Sequence, residues 1–149
     1  MTTPTLCTIG YERLMPLELA AELRQAGVQR VIDVRFRPQS RRAGMSKTRL
    51  GELLRDHGIA YEHRRELGTP PHIRPLFHQG RLDEARAAYT QHLHDEAPEA
   101  LGELAEELAN PDAPATALLC LEAEPEGCHR RVIAEAVAER LPALAVVDL

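Results

Sequence analysis

The stretch TALLCLEAEPEGCHRRVIAEAVAERL, residues 116–141, decides the fold class of this chain. Residues 116–121 are almost entirely apolar, which is typical of a buried strand in a parallel sheet. From residue 127 to 141 the apolar residues recur at helical spacing, which predicts a helix with one buried face. A buried strand that leads directly into a helix is the repeating unit of α/β proteins.

The same alternation of strands and helices extends through the rest of the chain. Further strands are predicted at residues 5–9, 30–34, 59–61 and 144–147, and further helices at residues 16–26, 46–58, 81–94 and 98–109. Residues 68–75 contain three prolines and are expected to form an ordered loop. We therefore expect a single α/β domain over residues 1–149, with three layers. A mostly parallel sheet of about five short strands would carry helices on both faces.

Composition places the chain among globular proteins of the cytoplasm. Hydrophobic residues make up 44% of the sequence, and no apolar run approaches the ~18 residues that span a bilayer, so no membrane partner is expected. Three irregularly spaced cysteines and the lack of a signal peptide favour a reducing, cytoplasmic location. The net charge of -5 weakens, without excluding, a nucleic-acid partner, and scarce aromatic residues argue against a base-stacking surface.

A basic segment follows the second predicted strand. Residues 35–49 contain six basic residues and no acidic one, whereas residues 82–109 contain eight acidic residues and one arginine. Ligands of open α/β sheets bind beyond the carboxyl ends of the strands, and arginines hold phosphate or carboxylate groups bidentately. We expect Arg35, Arg41 and Arg42 to bind an anion there, and Asp33 to orient an arginine. The alternative is that these loop arginines are simply solvated.

The segment after residues 116–121 contains the best candidate nucleophile. Cys128 is expected in the first turn of the following helix, where backbone N–H groups, the helix dipole and Arg130 favour a thiolate. His129 and Glu122 are candidate proton carriers, and Arg130 is a further candidate to bind an anion. The alternative is that Cys128 is a small buried residue at the start of a helix.

No metal site is predicted from the sequence. It has no C-x-x-C or H-E-x-x-H pattern and no pair of histidines on one face of a helix. Cys128 and His129 would form a metal site with Cys120 or Glu122 only if the tertiary structure brought them together. Cys7 and Cys120 lie in or near apolar strands and are expected to pack in the core. The sequence names no cofactor.

Taken together, these segments resemble the domain-of-unknown-function 488 family. The residues that carry the resemblance are, in chain order, Thr8-Ile9-Gly10, Asp33-Val34-Arg35 with Pro38 and Ser40, Tyr61 with Leu67-Gly68, Leu118-Leu119-Cys120-Leu121-Glu122, and Cys128-His129-Arg130. They span nearly the whole chain, and the resemblance implies an α/β fold with a site assembled from them, but no particular reaction. Tyr11 and Thr69 lie where the sequence departs from the family pattern, so neither is expected to be essential.

Two functions follow from these patterns, and both stay open at this point. The first is a small enzyme that uses a Cys128 thiolate on a phosphate-bearing, nucleotide-like or nucleic-acid substrate held by arginines. The second is a non-catalytic module that binds phosphate or nucleic acid through residues 35–49. The patterns predict no oligomeric state.

Overall fold

The computed structural model describes residues 3–149, and these residues form one five-stranded sheet. The strands are β1 (Thr5–Gly10), β2 (Arg30–Asp33), β3 (Ala60–His63), β4 (Thr116–Cys120) and β5 (Ala145–Asp148). They lie in the order β3-β2-β4-β1-β5, and every neighbouring pair is parallel. The predicted α/β class is confirmed.

Helices cover both faces of the sheet. They are α1 (Pro16–Gln25), α2 (Lys47–Asp56), α3 (Arg74–His78), α4 (Leu82–Glu96), α5 (Pro98–Ala109) and α6 (His129–Arg140). Leu19 of α1 packs with Leu119 in one buried cluster, whereas Leu101 of α5 packs with Leu118 in the other. Successive β4 residues thus face opposite layers, as a strand buried on both sides requires. None of the helices formed by residues 3–149 is both long and apolar enough to cross a bilayer.

Helix α3 differs from the expected loop at residues 68–75, because it begins within that stretch at Arg74. Pro75 lies in its first turn, where backbone N–H groups have no helical partner and proline is tolerated. Phe77 of α3 is buried and packs edge-on against Tyr89 of α4, with 6.3 Å between ring centroids. The packing of Phe77 therefore stabilises a helix that the local proline content does not predict.

The loop after β2 is fastened to the start of α2 by two serines. Ser46 lies at the predicted N-cap position of α2, but its hydroxyl group makes no capping hydrogen bond. Its Oγ instead accepts a hydrogen bond from the Ser40 backbone N–H at 3.0 Å and donates to the Ser40 carbonyl at 3.3 Å. Ser46 thus holds the basic loop in place.

Two glycines allow close contacts between the loops that leave the sheet. Gly10 ends β1 opposite Cys120 of β4, and a side chain at position 10 would overlap the carbonyl oxygen of Glu122. A side chain at Gly68 would overlap the backbone of Phe36 in the same way. Gly10 thus allows a neighbouring loop to approach closely, and this approach brings the segments after β1 and β4 together.

Candidate functional site

A cavity of about 460 Å³ lies at the carboxyl ends of β1, β2 and β4. The residues around it come from the segments after these strands, from the start of α6 and from α3. They include Tyr11, Arg35, Phe36, Arg37, Arg41, Arg42, Thr69, Arg74, Phe77, His78, Cys120, Glu122, Cys128 and His129. The volume is within the range of about 300–1,000 Å³ that is usual for small-molecule sites.

Asp33 and Arg35 form a buried ion pair at the end of β2. Arg35 Nη2 lies 2.7 Å from Asp33 Oδ2, and Arg35 Nε lies 2.9 Å from Asp33 Oδ1. Arg35 Nη1 also donates to the Met45 carbonyl at 2.7 Å and to the Tyr11 hydroxyl at 3.3 Å. Arg35 borders the cavity and Asp33 lies behind it, so Asp33 orients this arginine.

Tyr61 of β3 completes the hydrogen bonding of the pair, because its hydroxyl group donates to Asp33 Oδ2. Burial and the negative charge of Asp33 both raise the pKa of Tyr61, so the hydroxyl group stays protonated. Burial by itself lowers the pKa of Arg35, but the bonds to Asp33 outweigh it and raise the pKa overall. Arg35 therefore stays protonated beside the Asp33 carboxylate that accepts its hydrogen bonds.

Two other arginines of the expected anion site hold backbone carbonyl groups. Arg42 donates to the carbonyls of Tyr11 and Leu14 at 2.7 and 2.9 Å, which fixes the loop after β1. Arg130 is fully buried outside the cavity lining and donates to the carbonyls of Glu122 and Ala123. Burial lowers the pKa of Arg130. These guanidinium groups thus stabilise the two loops that border the cavity.

Three further arginines border the cavity and have no hydrogen-bond or ion-pair partner among the described residues. Arg37 and Arg41 follow β2, and Arg74 begins α3; all three are exposed and border the cavity. Within residues 3–149 none of the three side chains makes a hydrogen bond or ion pair with the protein. Their five N–H donors each are therefore available to a ligand.

Two cysteines and a histidine meet at the inner end of the cavity. The sulfur atoms of Cys120 and Cys128 lie at bonding distance from each other, and their Cα atoms are 7.5 Å apart. Cys128 is the N-cap residue of α6, and its Sγ lies 3.6 Å from Nδ1 of His129. Glu122 Oε2 lies 3.5 Å from Cys120 Sγ. Cys120, expected to pack in the core, is buried but also belongs to this cluster.

The imidazole of His129 is held in one orientation by buried neighbours. Its Nε2 lies 2.6 Å from the Val34 carbonyl, so Nε2 carries the proton and Nδ1 presents its lone pair to Cys128. The ring also packs edge-on against Tyr89, with 5.4 Å between centroids. Burial lowers the pKa of His129 to about 4, and the nearby charges of Arg130 and Arg74 contribute, so the ring is neutral at pH 7.

Several residues around the cavity were not selected from the sequence. Arg74 was not among the expected anion ligands, because it lies in a proline-rich stretch that does not directly follow a strand. Phe36 and Phe77 are the two phenylalanines of the chain, and both border the cavity. Their scarcity could have indicated a role at the site, because a core built from aliphatic residues does not need them for packing. Tyr11 and Thr69, not expected to be essential, also border the cavity.

Comparison with known proteins identifies the family of this chain. The family described as "Domain of unknown function DUF488" matches residues 17–137, which include every cavity residue named above except Tyr11. No curated protein and no solved structure matches the chain. Because the match covers most of the 149 residues, the chain belongs to the DUF488 family, as the resemblance of its motifs indicates.

Proposed function

We propose that this protein binds a small, phosphate-bearing molecule of the nucleotide type in the cavity at the carboxyl edge of the sheet. One observation carries the proposal. Arg37, Arg41 and Arg74 border the same cavity, and none has an ion-pair partner within residues 3–149. Guanidinium groups bind phosphate oxygens through paired, charge-assisted hydrogen bonds, so an anion that enters the cavity meets several unoccupied donors.

The charge balance of the cavity supports an anionic ligand. The charge of Asp33 compensates that of Arg35. The rest of the cavity lining then has four arginines, including Arg42, and one carboxylate, that of Glu122. The local excess is therefore three positive charges in a chain whose net charge is -5. Such a local field concentrates anions at the cavity although the whole molecule is acidic.

Polar and apolar groups beside the arginines favour a ligand with more than a phosphate group. The partly exposed ring of Phe36 supplies aromatic surface of the kind against which planar bases pack, and the buried ring of Phe77 lies behind the cavity. Thr69 Oγ1 is buried and has no hydrogen-bond partner within residues 3–149, so a polar ligand atom would satisfy it. An organic phosphate fits this combination better than the inorganic ion.

Calorimetric titration with AMP, adenosine and inorganic phosphate tests the proposal. We expect AMP to bind most tightly, because it alone contacts both the arginines and the aromatic surface. Arg74→Gln should weaken AMP binding by about 10-fold or more, since a hydrogen bond to a charged group contributes about 1.5–3 kcal/mol. Arg24→Gln, at an exposed arginine of α1 away from the cavity, is the matched control.

The proposal fails if none of the three compounds binds at millimolar concentration. It also fails if Arg24→Gln weakens AMP binding as much as Arg74→Gln does, because the effect would then come from overall charge. If phosphate bound as tightly as AMP, the cavity would still be an anion site, but the proposal of a nucleotide-type ligand would be wrong.

Nucleophilic catalysis by Cys128 is a second candidate function, favoured by one observation. Cys128 Sγ borders the cavity at the start of α6, 3.6 Å from the unprotonated Nδ1 of His129. His129 would then be the base, and Glu122 would carry a proton to a leaving group.

In reduced protein near pH 7, Cys128 should react with iodoacetamide faster than Cys7. A rate no higher than that of an ordinary thiol removes this candidate.

A further inference from the structure

Three metal-binding atoms converge at the inner end of the cavity, where β4 leads toward α6. Cys120 Sγ, Cys128 Sγ and one ring nitrogen of His129 all lie within 4.8 Å of one another. The three residues are at most 8% exposed. Thiolate and imidazole groups are the usual ligands of Zn²⁺ in proteins, and buried sites with two cysteines are common among structural zinc sites.

Two of the distances match the edges of a tetrahedral zinc site. Zn–S bonds of about 2.3 Å and Zn–N or Zn–O bonds of about 2.1 Å place neighbouring sulfur and nitrogen or oxygen ligands about 3.6 Å apart. Cys128 Sγ lies 3.6 Å from His129 Nδ1, and Cys120 Sγ lies 3.5 Å from Glu122 Oε2. Glu122 contacts Cys120, but its carboxylate is not within 4.8 Å of all three of the other ligand atoms, so it would have to turn toward Cys128 and His129 to be the fourth ligand.

The backbone spacing of the two cysteines also suits a bridging metal. Around Zn²⁺ the two sulfur atoms would lie about 3.8 Å apart instead of at bonding distance. The Cα atoms are 7.5 Å apart, beyond the separation of about 4.4–6.8 Å that is usual in disulfides. The main chain therefore already has the wider spacing that a shared metal ion requires.

His129 has the support that metal-bound histidines require. A ligating imidazole usually donates its other N–H to a carbonyl or carboxylate group, which fixes the ring and its lone pair. The Nε2 atom of His129 lies 2.6 Å from the Val34 carbonyl, so Nδ1 faces the sulfur atoms. The contact to β2 thus orients the ring for coordination.

The buried charge of Arg130 gives an independent reason to expect an anionic cluster. Arg130 is 0% exposed and forms no ion pair within residues 3–149. Its buried positive charge therefore has no carboxylate partner. Its Nη1 lies 3.0 Å from Cys120 Sγ. Zn²⁺ with two thiolates and the Glu122 carboxylate has a net charge of about -1, which Arg130 would balance.

We propose that the reduced protein binds one Zn²⁺ through Cys120, Cys128, His129 Nδ1 and Glu122. Binding replaces the two thiol protons by two Zn–S bonds, so two protons are released for each metal ion. A disulfide between the cysteines would first be reduced by a small-molecule thiol, which is itself oxidised to its disulfide. The metal would link the end of β4 to the start of α6, and the sulfur of Cys128 would be coordinated to it.

Metal titration of the full chain, reduced and freed of metal, tests the site. Co²⁺ serves as a visible probe of tetrahedral sulfur coordination, and Zn²⁺ is then added in competition with a chelating dye. We expect one metal ion per chain. Cys128→Ser should weaken binding by more than about 100-fold, because even changes outside the ligand set cost 10–100-fold. Cys7→Ala removes the remaining cysteine and should leave binding unchanged.

Glu122→Gln provides a variant at a partly exposed side chain, in case the cysteine variants do not fold. It should retain binding but weaken it about 10-fold or more, with an altered Co²⁺ spectrum. Less than about 0.1 metal ion per reduced chain would overturn the site, as would equal binding by wild type and Cys128→Ser. AMP titration of the same metal-free sample separates this result from the proposed function, since ligand binding by the arginines does not require zinc.

Discussion

Asp33 and Arg35 bring a pair of opposite charges into the interior directly behind the cavity. Asp33 is fully buried, and the Tyr61 hydroxyl group and the Arg35 guanidinium satisfy its oxygen atoms. A pair of this kind contributes little net stability compared with apolar residues, but the loss of one partner leaves an uncompensated buried charge. The pair therefore holds Arg35 in one orientation.

Asp33→Asn should destabilise the protein by about 3–5 kcal/mol, because it leaves the Arg35 charge buried without a partner. Urea unfolding at pH 7, followed by circular dichroism, measures the change. Asp56→Asn, at an exposed position in the last turn of α2, is the control and should change stability by less than about 0.5 kcal/mol. Equal stability of Asp33→Asn and wild type would contradict a buried ion pair.

Each arginine near the cavity has a role that its environment determines. Arg42 holds carbonyl groups, Arg35 pairs with Asp33, and Arg41 and Arg74 have no partner within residues 3–149. In the sequence all four are simply arginines. The sequence therefore predicts an excess of positive charge, but it does not show which guanidinium groups remain free to bind a ligand. That choice depends on which carbonyl and carboxylate groups lie within hydrogen-bond reach after folding.

At the level of elements, Glu107 connects α5 with the outer edge of the sheet. Its carboxylate accepts hydrogen bonds from Arg64, which follows β3, at 2.6 and 2.7 Å, and from Arg30 of β2 at 3.0 Å. The hydrogen bonds from Arg64, followed by the other charge contacts, outweigh burial and lower the pKa of Glu107. A carboxylate shared by two arginines has a better geometry than an isolated surface pair.

Glu107→Gln should destabilise the protein by about 1 kcal/mol at pH 7. The folded state lowers the pKa of Glu107, so its stabilising effect is present above the unfolded value of about 4.3 and is lost as the pH falls through the folded value. The difference between wild type and variant should therefore shrink below about pH 4. Unfolding curves between pH 3 and pH 7 measure it, and a constant difference would contradict the bridge.

Glu103→Gln is the matched control for this pH series. Glu103 lies one turn earlier on α5 and is exposed, with no ion pair within residues 3–149. Its substitution should change stability by less than about 0.5 kcal/mol at every pH. A pH-dependent loss in this variant as large as that of Glu107→Gln would assign the effect to the general charge of α5.

Most elements follow from short sequence patterns, with ends within about two residues of the prediction. Helix α5 (Pro98–Ala109) has the predicted bounds, because proline begins it and apolar residues repeat along one face. Helix α3 was missed because it is only five residues long and contains a proline. Its stability depends on the burial of Phe77 against α4, which no local pattern records.

The whole molecule separates its charges, with the arginine-lined cavity at one edge of the sheet and acidic residues along α4 and α5. The small anion proposed above would contact only the arginine-lined cavity. A long polyanion would meet both regions, and the net charge of -5 would oppose it. This distribution favours a nucleotide-type ligand over a nucleic-acid strand.

Duplex and single-stranded DNA should therefore show no measurable binding between about 50 and 200 mM salt. Fluorescence anisotropy of labelled strands measures this, with the AMP titration in the same buffers as the positive control. If nucleic acid were the ligand, its affinity would fall steeply with salt, with a logarithmic slope of about 0.9 for each phosphate neutralised. Such a slope would indicate that the ligand is nucleic acid and not a small molecule.

The sequence by itself determined the order and type of most elements and the parallel sheet, because hydrophobic periodicity and glycine or proline positions act over a few residues. It also placed Asp33 at the end of a strand and Arg35, Glu122 and Cys128 after strands, and the carboxyl ends of these strands meet at one edge. Only the tertiary structure placed Cys120 against Cys128 and Arg74 beside the cavity. These contacts depend on how whole helices pack over the sheet, and a local pattern contains no measure of that packing.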